Sequence, residues 1–235
     1  ITIATQSDEL DPLSDRIPPF KNPTKLKNIN SASDNLYQKV VKEFPESTSK
    51  IAVSAYLEFD ENDKIITDYR WNIDKLVELL LEQIPQSAQL ELAKISQIKT
   101  VQKKLAGKIR TGAAAICSGI ALEPLPFADL PIITGIQISM IIGIGYISGQ
   151  ELNKKSAMEF ASAMGISVGA AFGFRELARA FVKLIPGAGS AISAGIAGAA
   201  TWALGESAIT YFIDKKSKED ALSTYDSEFK KKKKE

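Results

Sequence analysis

Asp8 and the pair Ser54-Ala55 are the residues of this sequence best placed to do chemistry. Each ends a short apolar, β-rich run: Ile-Thr-Ile-Ala-Thr at 1–5 leads into Gln6-Ser7-Asp8, and Ile-Ala-Val at 51–53 leads into Ser54-Ala55. A carboxylate and a small hydroxyl residue just past the carboxyl ends of parallel strands occupy the place where open α/β sheets bind ligands. The plainer reading of the same residues is a turn-forming aspartate and an ordinary strand end. Composition excludes much other chemistry. With no histidine and one cysteine, the chain cannot build a zinc site, a Ser/His/Asp triad or a Cys/His pair from its own residues. It cannot build a disulfide framework either. Cys117 lies in the apolar run Gly112-Ala-Ala-Ala-Ile-Cys117 and reads as a small core residue. No glycine precedes Gly107, so no Gly-x-x-x-x-Gly-Lys-Ser/Thr phosphate loop exists before that point.

The elements that must hold Asp8 and Ser54 can be read in order. After the first strand, residues 13–34 are rich in Pro, Asn, Ser and Lys and are expected to be an irregular insertion. A helix over 35–44 places Leu36, Val40, Val41 and Phe44 on one face, with Ser33 or Asp34 as its cap. The second strand, a polar link and a helix over 72–84 follow. Strand, helix, strand, helix is the pattern of a parallel α/β sheet. From Ser87 one long helix is expected, with Leu92, Ile95, Ile98, Val101, Leu105 and Ile109 along one side and Lys94, Lys99, Lys103, Lys104, Lys108 and Arg110 off it. Such a basic amphipathic helix suits an anionic membrane surface and equally a bundle with a basic solvent face.

All 15 glycines fall between Gly107 and Gly205, in a low-charge region where Gly165-x-x-x-Gly169-x-x-x-Gly173 and Gly145-x-x-x-Gly149 repeat at helical spacing. Small residues so spaced allow helix backbones to approach closely. Helices are expected over 111–122, 132–150, 157–182 and 190–213. The breaks at Leu125-Pro126-Phe-Ala128 and Ile185-Pro186-Gly-Ala188 suggest two related hairpins. The net charge of +1 conceals a partition: residues 1–86 hold 10 basic and 15 acidic residues, and residues 87–110 hold 6 basic and 1 acidic. The tail from Asp214, which includes five consecutive lysines at 230–234, is expected to be a charged flexible end. Basic zones thus bracket the apolar block, as they would if both faced one anionic surface.

Thr5-Gln6-Ser7-Asp8, a helix, a strand ending in Ser54-Ala55 and a closing amphipathic helix together resemble the last part of a Ras-like GTPase domain. The resemblance implies that Asp8 accepts hydrogen bonds from the N1 and N2 donors of guanine, that Ser54 braces the loop, and that the Ala55 backbone N–H meets guanine O6. Thr5 and Gln6 would complete the base site, Gln6 standing where the family carries a lysine whose stem covers the base. Residues 95–213 resemble the uncharacterised glycine-rich helical domain (DUF697-like) that some bacterial GTPases carry after the G domain, usually described as membrane associated.

The expected fold is therefore an α/β remnant of a P-loop GTPase domain over 1–86, followed by a basic linking helix (87–110), a glycine-rich helical hairpin domain (111–213) and the tail (214–235). The expected ligand is GTP or GDP, with Mg²⁺ only if an upstream segment supplies the phosphate loop. The start at Ile1, without an initiator Met, is read as truncated or processed, and this chain alone is not expected to hydrolyse GTP. Expected partners are a membrane surface, a second copy of the chain and the missing G-domain segment, but no nucleic acid. The place is the cytoplasm, at or embedded in a membrane. Two other classes stay open: a non-enzymatic module that oligomerises through its glycine ridges, and a pore-like helical protein.

Overall fold

The computed structural model describes residues 1–122, 129–164 and 189–233. The chain divides into two compact units, Ile1–Ile84 and Pro85–Glu235. In the first, β1 (Thr2–Ala4) pairs in parallel with β2 (Lys50–Ala52), Thr2 opposite Lys50 and Ala4 opposite Ala52. The connection between them carries α1 (Pro23–Glu43). This helix begins well inside the stretch expected to be irregular. Asn22 caps it by accepting from the Thr24 N–H at 2.9 Å, and Pro23 fills the first helical position, where a missing N–H costs nothing. Ser33, expected as a cap, is instead buried within the helix. The buried face runs Lys25, Ile29, Ser33, whereas Leu36 and Phe44 are exposed. A buried lysine on that face hid the periodicity from a reading based on apolar residues.

The expected polar link after β2 forms an antiparallel hairpin, β3 (Leu57–Phe59) with β4 (Ile65–Asp68). Its turn is tied by Asp60, whose Oδ1 accepts from the Asn62 and Lys64 N–H groups at 2.9 and 2.8 Å. The unit closes with α2 (Ile73–Gln83), which buries Val77 and Leu81.

The second unit is helical throughout its described residues. It contains α3 (Gln86–Ser96), α4 (Lys99–Leu122), α5 (Asp129–Ile147), α6 (Lys154–Ala163), α7 (Gly189–Ala208), which runs on into a π-helical turn (Ile209–Ile213), and α8 (Lys218–Lys232). The single long helix expected from Ser87 is two, because Gln97 turns the chain with a left-handed φ of 51°. Ile95, assigned to the apolar side, is exposed, and Ala93 is the buried residue of α3. Residues 218–232, expected to be flexible, form α8. A capping box between Ser217 and Asp220 starts it, and Ala221 and Tyr225 are buried on it.

The core of this unit joins Ile138, Ile141, Ile144, Phe160, Met164, Leu204, Phe212 and Tyr225. Helices α4 and α7 meet through small residues. Ala113, Ala114, Cys117 and Ala121 are buried on α4, and Ala194, Thr201 and Ala208 on α7. A side chain at Gly198 would meet Ser118 Oγ at 2.0 Å, and one at Gly205 would meet Arg110 Cγ at 2.4 Å. Close helix approach thus rests on Gly198 and Gly205. Gly149, part of the expected Gly145/Gly149 ridge, does something else. With φ of +83° it ends α5, the Gln150 N–H reaching back to the Gly145 carbonyl at 2.9 Å. The Gly165/Gly169/Gly173 ridge and both Pro-x-Ala breaks lie outside the described residues.

Two buried amides among these helices find partners. Gln137 Nε2 donates to Thr201 Oγ1 at 3.0 Å, and Gln102 Nε2 donates to the Ile147 carbonyl at 2.8 Å. Burial pushes the Cys117 thiol above its ordinary range, against the opposing effect of its hydrogen bond with Thr201. That environment suits a core residue rather than a nucleophile.

Candidate functional site

Because β1 and β2 run in parallel, their carboxyl ends open on the same side, and the loops that follow meet there. The Ser7 N–H bonds the Val53 carbonyl at 3.2 Å, which draws the loop after β1 against the end of β2. The turn at Ser7–Glu9 then carries Asp8 inward to 4% exposure, and Ser54 is fully buried beside it. Ser54 Oγ donates to Asp8 Oδ1 at 2.7 Å. Among the described residues Asp8 Oδ2 makes no hydrogen bond, its nearest cationic neighbour being Arg16 Nε at 3.7 Å. The Ala55 N–H has no partner among the described residues, although Ser54 on one side is bridged to Trp71 and Tyr56 on the other accepts from the Tyr69 N–H.

Of the five residues expected to form a site, the fold therefore brings Asp8 and Ser54 into contact, with Ala55 next in the chain and exposed. Thr5 and Gln6 are exposed on the approach to Asp8. Gln6 has a left-handed φ of 58°, and neither side chain hydrogen-bonds to Asp8 or Ser54. A buried carboxylate that keeps acceptor capacity, next to an unpaired backbone donor, presents the complement of a planar group with adjacent donors and one acceptor.

Three residues that hold this arrangement were not legible beforehand. Lys25 is fully buried, and its Nζ donates to the Asp8 carbonyl at 2.6 Å and to the Leu10 carbonyl, 5.2 Å from the centre of the Phe20 ring. Its ammonium is satisfied by backbone oxygens and an aromatic face rather than by a carboxylate, so it clamps the Asp8 loop without neutralising Asp8. Arg16 pairs with Glu9 as well as Asp8, and its guanidinium lies 5.6 Å over the Tyr56 ring. Tyr56 in turn stacks on Tyr69 at 5.3 Å. The segment bearing Arg16 and Lys25 is tied down by Asp15 Oδ2, which accepts from the Lys21 and Asn22 N–H groups at 3.0 and 2.8 Å. The one sequence signal for this brace was Asn22-Pro23, a cap followed by a first-turn proline.

Among the described residues no group of three His, Cys, Asp or Glu residues could hold a metal ion. A family model described as domain of unknown function (DUF697) matches residues 85–233, the span of the helical unit. No curated protein and no solved structure matches the chain.

Proposed function

The chain belongs to the DUF697 family, whose model spans more than half of it, and from that premise we propose that it is a guanine-nucleotide-binding protein whose helical unit is a membrane-docking output. The residues that read the base precede the family domain. The observation that carries the reading is the Ser54–Asp8 contact of 2.7 Å, which orients the carboxylate and leaves Oδ2 unbonded. Guanine brings N1–H and N2–H donors to such a carboxylate, whereas adenine brings an acceptor at N1 and would leave Asp8 buried and unsatisfied. The Ala55 N–H is available for O6, and a side chain no larger than alanine keeps that approach open. The proposal assigns base recognition to Thr5, Gln6, Asp8, Ser54 and Ala55. Phosphate and Mg²⁺ contacts are assigned to no residue before Gly107, since no glycine-lysine loop occurs there.

Titration of the full chain with GDP and ADP tests this. Binding of GDP in preference to ADP is expected. Asp8→Ala should weaken GDP about ten- to hundredfold, the worth of charge-assisted hydrogen bonds. Asp8→Asn should turn the preference toward a xanthine nucleotide, because its amide donor meets the C2 carbonyl of xanthine. A GDP preference that survives Asp8→Ala would sink the base assignment.

A further inference from the structure

Arg16 stands on the face of Asp8 that the proposed guanine needs. Asp8 is almost fully buried, Ser54 holds its Oδ1, and the remaining oxygen faces Arg16 Nε at 3.7 Å. A guanidinium is a planar fork of N–H donors, the same chemistry as the N1–H/N2–H edge of guanine. The pair is nevertheless incomplete. At 3.7 Å the Nε group makes an ion pair and no hydrogen bond, and the terminal nitrogen is drawn instead to Glu9. Arg16 keeps 47% of its side chain in solvent, so it can leave without opening the unit's core. Its cation also lies over Tyr56, an exposed ring that stacks on Tyr69.

We propose that Arg16 is an internal stand-in for the ligand: its guanidinium occupies the acceptor face of Asp8 in the empty protein, and a guanine base binds by displacing it toward Glu9. This rests on the guanine reading above and adds an affinity-setting contact to it. Every base that displaces Arg16 loses the same Arg16–Asp8 attraction, so Arg16 lowers the affinity for all of them by one factor and leaves their ranking to their own hydrogen bonds with Asp8. Glu9 sets the strength of the stand-in, because it competes with Asp8 for the same cation.

The two carboxylates give the test opposite signs. In GDP titrations of the full chain, Arg16→Ala should tighten binding about two- to fivefold, the range of a half-exposed ion pair. Glu9→Gln should weaken it by a similar factor, since Arg16 then has Asp8 alone. The gap between wild type and Arg16→Ala should shrink as salt rises, because a half-exposed pair is screened and a packing effect is not. ADP serves as the parallel ligand and should gain no more than GDP does in Arg16→Ala. If wild type binds GDP and Arg16→Ala binds it equally or more weakly, the stand-in is overturned and the guanine reading stands. If neither the wild type nor Arg16→Ala binds GDP, both fall.

Discussion

Among the described residues of the helical unit, Tyr225 has the least satisfied hydroxyl. It is buried on α8, and its phenol oxygen has no hydrogen-bond partner. Burial, with a smaller contribution from the charge of Asp226, pushes its pKa from 10.0 up to about 12. Below pH 10 both folded and unfolded chains keep the proton and the residue contributes its full stability. Between about pH 10 and 12 only the unfolded chain ionises, so stability falls with rising pH, by about 3 kcal/mol over the window. Tyr225→Phe should abolish that loss and gain about 1 kcal/mol at neutral pH by removing an unmet hydroxyl. Thermal melts at neutral and strongly alkaline pH check this, and a variant whose melting temperature falls in step with wild type contradicts it. At this scale the sequence was legible where a residue's role is local. That Asp8 and Ser54 come together was legible because each follows one of two short strands that pair in parallel. Lys25 and Arg16 were missed because their partners are carbonyls, a ring and a carboxylate reached only after α1 folds back on β1.

At the scale of elements, the seam between α4 and α7 decides how tightly the helical unit packs, and its glycines are not equivalent. A Cβ at Gly205 would come within 2.4 and 2.9 Å of Arg110 Cγ and Cβ and 3.1 Å of Met140 Sδ. The first two atoms belong to the root of the arginine, which cannot swing aside. They also position the guanidinium, which pairs with Glu206 and lies 3.5 Å over the Trp202 ring. Gly205→Ala should therefore push α4 from α7 and cost about 1–3 kcal/mol, as overpacking does. A Cβ at Gly112 on α4 meets nothing within 4 Å, so Gly112→Ala should gain about 0.5–1 kcal/mol from backbone entropy alone. Chemical denaturation of both variants measures the contrast, and equal effects would refute the packing account. Helix existence was legible from low-charge apolar runs and small residues at helical spacing. The break at Gln97 was not, because a left-handed glutamine carries no signature of its own. Nor was α8, whose charged surface masked the two positions, Ala221 and Tyr225, that dock it.

The whole molecule joins an acidic α/β unit to a helical unit with lysine-rich stretches, and the second is where a membrane would act. Lys99, Lys104 and Lys108 are exposed along the first half of α4, and Ile116 and Leu122 are exposed along the second. Lys230, Lys231 and Lys233 are exposed at the end of α8 and beyond it. Lys103 is less available, since it pairs with Asp214 at 2.7 Å. Among the described residues no helix is long and apolar enough to cross a membrane. The low-charge, glycine-rich helices α5 and α7 pack into the helical core. The proposed membrane-docking output would act through basic charge first and exposed apolar side chains second. Each lysine near an anionic surface contributes about 1 kcal/mol. Lys99, Lys104 and Lys108 changed together to Glu should thus weaken sedimentation of the full chain with phosphatidylserine vesicles at least about a hundredfold. Wild-type binding should fall steeply with salt and be marginal on phosphatidylcholine. Binding that is indifferent to salt and headgroup charge, and retained in the triple variant, would remove the electrostatic step and leave the apolar residues to carry any docking alone.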